Sequence, residues 1–384
     1  NMKEKNIIGN YESLRTLDYE EMNEHLDQLQ TFTEQAPIGY TTFHYPIRHF
    51  TYGTGENHVI LTAGTHSVEL ITNCFLIHFM EELDQNPNLV DPNLFTLHFI
   101  PILNPEGTII LTSALRTVIP RTCTPFYEEL TCLQYYMNSR LEDEYALKKD
   151  DHGNKLQMQM FRYADANCIA PKHKELRKSV QKMITSLPEG VMIAWSSNGV
   201  GVDLNANIEH PRYEEEVLKK IPVYHELRLN QISKTTPGPV GCPFRGDAFS
   251  LEPENQALLN FYHDLIQTEK VVGFLIYHAC GNQIVYLDEK YGISKEEAEY
   301  NRKIALAYQE MTKYDVLVQS RPTTMDYILK TKLPGTILIE LGDIRSTPLS
   351  QFISCIHSVY DHILEDNQKA IIKTIHTMAH TIKR

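Results

Sequence analysis

The chain has 384 residues, 42% of them hydrophobic, with 36 basic against 49 acidic residues and a formal net charge of −13. That length suits two or three average domains, or one large α/β domain with insertions, and the apolar content suffices for a packed core. The charge repels nucleic-acid phosphates, and no stretch approaches the roughly 18 uncharged apolar residues that span a bilayer, so neither partner is expected.

From the start of the chain, Met2 to Gly9 lacks the apolar core and small-residue cleavage site of a signal peptide. The seven cysteines (74, 123, 132, 168, 242, 280 and 355) are scattered, odd in number and free of any Cys-x-x-Cys pair. Reduced thiols in a cytoplasm fit that usage better than a disulfide framework. A helix is predicted over Tyr11 to Gln35, where Leu17, Met22, Leu26, Leu29 and Phe32 recur at helical spacing. Thr41 to Tyr52 reads as strand material. A strand (His58 to Ala63), a helix (Val68 to Leu83) and a strand (Leu94 to Leu103) follow, the last running into the turn Asn104 to Gly107. Strand, helix and strand in that order suggest a βαβ unit with active groups at the strand ends.

Residues 112–193 break the rhythm: they are charged and tyrosine-rich, with helical pieces near Phe126 to Lys149 and Lys172 to Leu187. They read as an insertion, serving as a surface elaboration, a dimer contact or a lid over a substrate cleft. The α/β pattern resumes at Gly199 to Asn205. A helix is predicted over Glu254 to Thr268, a strand over Val271 to Tyr277, a helix over Lys295 to Met311, a strand over Gly335 to Glu340, and a closing helix from Leu349 to His380.

The densest chemistry lies at Gly64 to Glu69, just after the apolar run His58 to Ala63. His66 and Glu69, three apart on a loop leaving a buried strand, can ligate one zinc ion from one side, and two His plus one Glu is a catalytic set that leaves a position open. The spacing alone does not decide, because His78/Glu81 and His362/Glu365 share it; those two lie within helix-like apolar stretches. His278 closes the apolar run beginning at Val271, and Glu340 interrupts the apolar run Ile337 to Leu341. A carboxylate in such a run must be paired, near a metal, or raised in pKa, since burying it bare is expensive.

In these blocks the chain resembles the zinc carboxypeptidase (carboxypeptidase A-like) family. The matches come in the family's order: Gly64 to Glu69, Asn104 to Gly107, Gly201 to Asn205, Tyr277-His278, and Thr336 to Leu341. The resemblance implies a single domain over residues 1–384: α/β, with a mixed, mostly parallel central sheet, helices on both faces and the 112–193 helical insertion. It implies one zinc ion held by His66, Glu69 and His278, Glu340 as general base, and Asp203 as a carboxylate orienting His66. A narrower resemblance, to the bacterial γ-D-glutamyl-diaminopimelate peptidase branch, rests on His278 to Tyr286, Asp326 to Gly335, Pro348 to Phe352, Tyr213 to Glu216 and Leu251 to Glu254. It implies a peptide or muropeptide substrate from the cell wall.

The chain also departs from the family. Where exopeptidases place an arginine that grips the substrate's free carboxylate, beside Asn205, this chain has Ala206; the narrower branch has an acidic residue there. Val318 stands at the position of the family's substrate-covering tyrosine, and Val68 stands where many members have arginine. Arg116 and Arg121 are the candidates for a transition-state arginine. A zinc peptidase acting on an unusual substrate is therefore expected, with a deacylase of N-acyl amino acids or a non-catalytic metal-binding relative as alternatives.

Overall fold

The computed structural model describes residues 17–118, 166–184, 192, 195–208, 251–279, 281–320, 324–342 and 349–381. These residues contain ten strands and eight α-helices. The strands are β1 (Thr33–Glu34), β2 (Gly39–Tyr40), β3 (Pro46–Ile47), β4 (Phe50–Tyr52), β5 (Asn57–Thr62), β6 (Phe95–Ile100), β7 (Lys270–His278), β8 (Gln283–Tyr286), β9 (Asp315–Val318) and β10 (Thr336–Glu340). The helices are α1 (Tyr19–Asp27), α2 (Leu70–Gln85), α3 (Pro105–Val118), α4 (Lys174–Ile184), α5 (Pro253–Thr268), α6 (Lys295–Thr312), α7 (Met325–Lys332) and α8 (Leu349–Thr381).

Eight strands form one sheet in the order β1-β4-β6-β5-β7-β10-β8-β9, and β2 and β3 pair separately. Its centre, β6-β5-β7-β10, is parallel throughout. β4 and β8 run antiparallel at its flanks. Parallel neighbours need a crossover rather than a tight turn, and α2 supplies it between β5 and β6. Successive side chains of a strand point to opposite faces, and both faces are covered. Val59, Leu61, Leu97, Phe99, Leu275, Tyr277, Ile337 and Ile339 enter the larger apolar cluster with α1, α2, α6 and α8. Ile60, Ile100, Phe274, Ile276 and Leu338 face the other way, against Ala257, Leu258 and Tyr262 of α5 and Met325, Ile328 and Leu329 of α7. Each such side chain, once fully buried, contributes roughly 1.5–3 kcal/mol. That double cover explains why the strands read as continuous apolar runs in the sequence.

The first helix is shorter than its apolar spacing suggests. Asp18 caps α1, its carboxylate accepting from the Glu21 N–H while Glu21 accepts from the Asp18 N–H. The helix ends at Asp27, and Phe32 then packs edge-on against Phe99 from outside it. Residues 33–34 are instead a strand edge paired with β4. The sequence pattern also leaves β8, β9 and α7 unanticipated. β8 and β9 are four residues each, and β9 alternates exposed and half-buried positions on the sheet rim.

Of the region 112–193, residues 112–118 continue α3, and the predicted helix at Phe126 to Lys149 lies outside the described residues. The described portion 166–184 ends in α4, and Ala166, Ile169, Leu176 and Val180 are buried in the larger cluster. This portion lays those four side chains on the core, while Asn167, Lys172, Lys174, Glu175 and Lys178 are exposed. Among the described residues no helix is long and apolar enough to cross a membrane.

Candidate active site

The central parallel strands deliver their C-terminal ends to one edge of the sheet, where ligands of open α/β sheets bind. β5 ends at Thr62 and the chain turns at Gly64, whose φ of +73° favours glycine. A Cβ at this position would lie 2.2 Å from Asn73 Nδ2. Asn104 holds the turn from the next strand: its N–H donates to the Gly64 carbonyl, and its Nδ2 donates to the carbonyls of Thr65 and Ser197. Asn104 to Gly107 is thus a clamp on the His66 loop rather than a chemical group. Glu69 sits at the N-cap of α2, 5% exposed.

β7 ends at His278 and β10 at Glu340, and the two are direct partners in the parallel register. The Leu341 N–H donates to the His278 carbonyl at 2.8 Å. A buried polar chain backs this junction. The Tyr277 and Tyr308 hydroxyls lie 3.0 Å apart, Tyr308 donates to Asn367 Oδ1, Asn367 Nδ2 donates to the Tyr314 hydroxyl, and that oxygen accepts from the Gly342 N–H.

His66, Glu69 and His278 therefore converge from two strands and a helix cap. One ligand atom from each lies within 4.8 Å of the others. His66 Nδ1 is 3.0 Å from Glu69 Oε1, and His278 Nδ1 is 3.1 Å from Glu69 Oε2. The other ring nitrogen of His66, Nε2, faces Asp203 Oδ1 at 2.9 Å. Asp203 is itself fixed by the Asn205 N–H, 2.9 Å from the same oxygen. Two imidazoles and one carboxylate, all converging and backed by a carboxylate on the far side of one ring, form a donor set that fits zinc.

The charges answer one another. Burial pulls the His66 imidazole down, but Glu69 and Asp203 outweigh it and hold it well above the usual histidine range. Burial likewise opposes the charge on His278, and Glu69 reverses the effect. Glu69, despite burial, is held down at about 2 by His66 and His278. Glu340 goes the other way: burial first, then the Glu69 carboxylate, push it to about 7. Two carboxylates in one site with pKa values driven apart is the arrangement that separates a ligand from an acid/base group.

The sequence profile described as zinc carboxypeptidase matches residues 22–355. The chain belongs to the zinc carboxypeptidase family. It is a zinc metallopeptidase by that membership. Solved structures agree on the fold. Bovine thrombin-activatable fibrinolysis inhibitor, determined with a tick carboxypeptidase inhibitor, is similar over 96% of this chain and 99% of its own, at 14% identity and a TM-score of 0.56. Carboxypeptidase A from Helicoverpa armigera is similar over 95% of this chain and 72% of its own, at 14% identity and a TM-score of 0.52. A search of curated proteins finds no sequence match.

Among the described residues of this metallopeptidase, His78 and Glu81 do not converge as a metal-binding group. His78 is buried in α2, while Glu81 pairs with His25 Nδ1 at 2.7 Å. Glu365 pairs with Lys369, and the side chain of His362 lies outside the described residues. Ala206 is buried, its N–H spent on the Asp203 carbonyl. Val68 is buried in the core, and Val318 closes the half-buried rim strand β9. Arg116 falls in the last turn of α3 with its side chain outside the described residues, as is the whole of Arg121.

Two ionisable groups beside the site escaped the sequence reading. Asp326 and Lys330, one turn apart on α7, are 5% and 2% exposed and form an ion pair at 3.0 Å. The available signal was a lysine four residues after an aspartate in an otherwise apolar helical stretch.

Proposed function

We propose that this chain is a one-zinc peptidase that hydrolyses an amide bond in a small cell-wall-derived peptide, of the γ-D-glutamyl-diaminopimelate type. The observation that carries the reading is the convergence of His66, Glu69 and His278 with Glu340 paired in register beside His278. These three side chains would hold the metal, and Asp203 would fix which nitrogen of His66 faces it. Zinc bound there supplies Lewis-acid polarisation of the scissile carbonyl and acidifies water. The Glu340 carboxylate takes the proton of the attacking water and hands it to the leaving nitrogen. A pKa raised to about 7 suits both halves of that transfer. The Asn205 carboxamide, whose Oδ1 accepts from the Asp326 N–H, would offer its amide hydrogens to a substrate oxygen.

The substrate class rests on the sequence blocks His278 to Tyr286 and Asp326 to Gly335, while Ala206, which is not the acidic residue of that branch, bears only on the missing carboxylate clamp. Alanine offers neither charge nor donor, so a terminal carboxylate would not be gripped in the family's usual way. Zinc-loaded protein incubated with a panel of muropeptides should release the diaminopimelate-containing fragment, read by mass spectrometry. Intact muropeptides together with cleavage of N-acyl amino acids would replace this reading with the deacylase one.

A further inference from the structure

A hydrogen-bond chain runs from a buried ion pair on α7 to the metal ligand set. Lys330 Nζ donates to Gln319 Oε1 at 2.6 Å and to Asp326 Oδ2 at 3.0 Å. The Asp326 N–H donates to Asn205 Oδ1 at 3.3 Å, and the neighbouring Met325 N–H donates to the Asn205 carbonyl at 2.9 Å. The Asn205 N–H in turn donates to Asp203 Oδ1, the oxygen that faces His66 Nε2. The first turn of α7 is thus docked on the loop that orients a metal ligand. Lys330 ties the same helix back to Gln319, just beyond β9.

Stability alone does not account for the ion pair. The rest of this helix face is apolar, with Ile328 and Leu329 packed against Leu338 of β10. Burying an ion pair in such surroundings gains little over well-packed apolar side chains. What the pair adds is direction. It locks the start of α7 at one rotation and one depth, so that two backbone N–H groups meet both oxygens of Asn205. It also places Lys330 within electrostatic reach of Glu340, and the Asp326 carboxylate within reach of both His278 and Glu340.

We propose that Lys330 and Asp326 are positioning residues of the metal centre, acting through Asn205 and Asp203 to fix the His66 ring. The inference rests on the zinc-site reading above and deepens it. The pair touches neither metal nor substrate. Its work is to hold the carboxylate that holds the ligand. Loss of a carboxylate bonded directly to a ligating histidine weakens metal binding about 10- to 100-fold, and a group two bonds further out should give a smaller effect of the same kind, about 3- to 10-fold.

The test uses the whole chain and cobalt(II) as the probe, because its visible absorption reports ligand geometry without any turnover. Wild-type protein should take up one cobalt ion, and His278→Ala should abolish it. Lys330→Met leaves the Asp326 charge buried and unpaired and risks misfolding, so the deciding variant is the double Asp326→Asn, Lys330→Met, which removes both charges at constant shape. The expected result is a folded double variant with cobalt affinity lowered about 3- to 10-fold and a shifted absorption band. A folded double variant with wild-type affinity and spectrum overturns the positioning role while leaving the metal site intact. Failure of the wild-type chain to bind cobalt, or binding that survives His278→Ala, overturns the zinc-site reading itself and this inference with it.

Discussion

Glu340 is the residue on which catalysis and metal binding can be separated. It lies beside His278 in the sheet register but is not one of the three converging donors. Glu340→Gln keeps the shape and removes the proton acceptor. Hydrolysis should fall by about two to four orders of magnitude, the usual worth of a general base, with zinc content by metal analysis unchanged. Retained activity would remove Glu340 from the mechanism. Asp203 gives the complementary result. Its carboxylate is held down by its contact with His66 even though burial pushes it up, so it is a charged partner of that ring. Asp203→Ala should weaken zinc affinity by about 10- to 100-fold, measured by competition with a chelator, while hydrolysis at saturating zinc recovers in part.

At the scale of elements, the loop between β5 and α2 is the most demanding piece of backbone in the site. Gly64 has a left-handed φ, and any Cβ there would collide with the Asn73 amide, which donates to the Pro101 carbonyl. Gly64→Ala pays for the left-handed conformation, about 1–2 kcal/mol, and must also displace Asn73. A melting temperature several degrees lower is expected, with His66 misplaced and zinc affinity reduced; an unchanged melt would show that the loop relaxes freely.

The same loop shows what a sequence can disclose. Strands β5, β6, β7 and β10 were legible because both their faces are buried, which leaves long apolar runs. His278 and Glu340 stood out as polar residues at the ends of such runs. α7 was not legible, because an eight-residue helix with Asp326 and Lys330 on its buried face looks polar until its partner is known. The boundary of α1 failed for the opposite reason. Leu29 and Phe32 continue the helical spacing, but they pack on the core after the helix has ended. Asp203 could be tied to His66 only through the family resemblance, since 137 residues separate them in sequence.

At the scale of the molecule, the second sheet face carries a histidine chain remote in kind from the zinc chemistry. His58 Nδ1 is 2.8 Å from His98 Nε2, and His98 Nδ1 is 3.0 Å from His49 Nε2, with Phe261 packed edge-on against the rings of His49 and His98. Glu269 faces the outer nitrogen of His58 at 3.4 Å. Three neutral imidazoles carry three ring N–H groups, enough to place one in each of the two hydrogen bonds and one at an end of the line. Burial brings His49 down to about 4, and burial with the two neighbouring rings brings His98 to about 3. Unfolded histidines titrate near 6.5. Below that pH the unfolded chain therefore binds protons that the folded chain refuses, so stability is full above about 6.5 and is lost as pH falls toward the folded values. The slope is roughly 1.4 kcal/mol per pH unit for each of the two rings. Urea unfolding followed between pH 7 and pH 5 should show this decline. His98→Gln, which keeps an amide in the line but cannot titrate, should flatten it by the share of one ring, and an unaltered slope would place the acid sensitivity elsewhere in the fold.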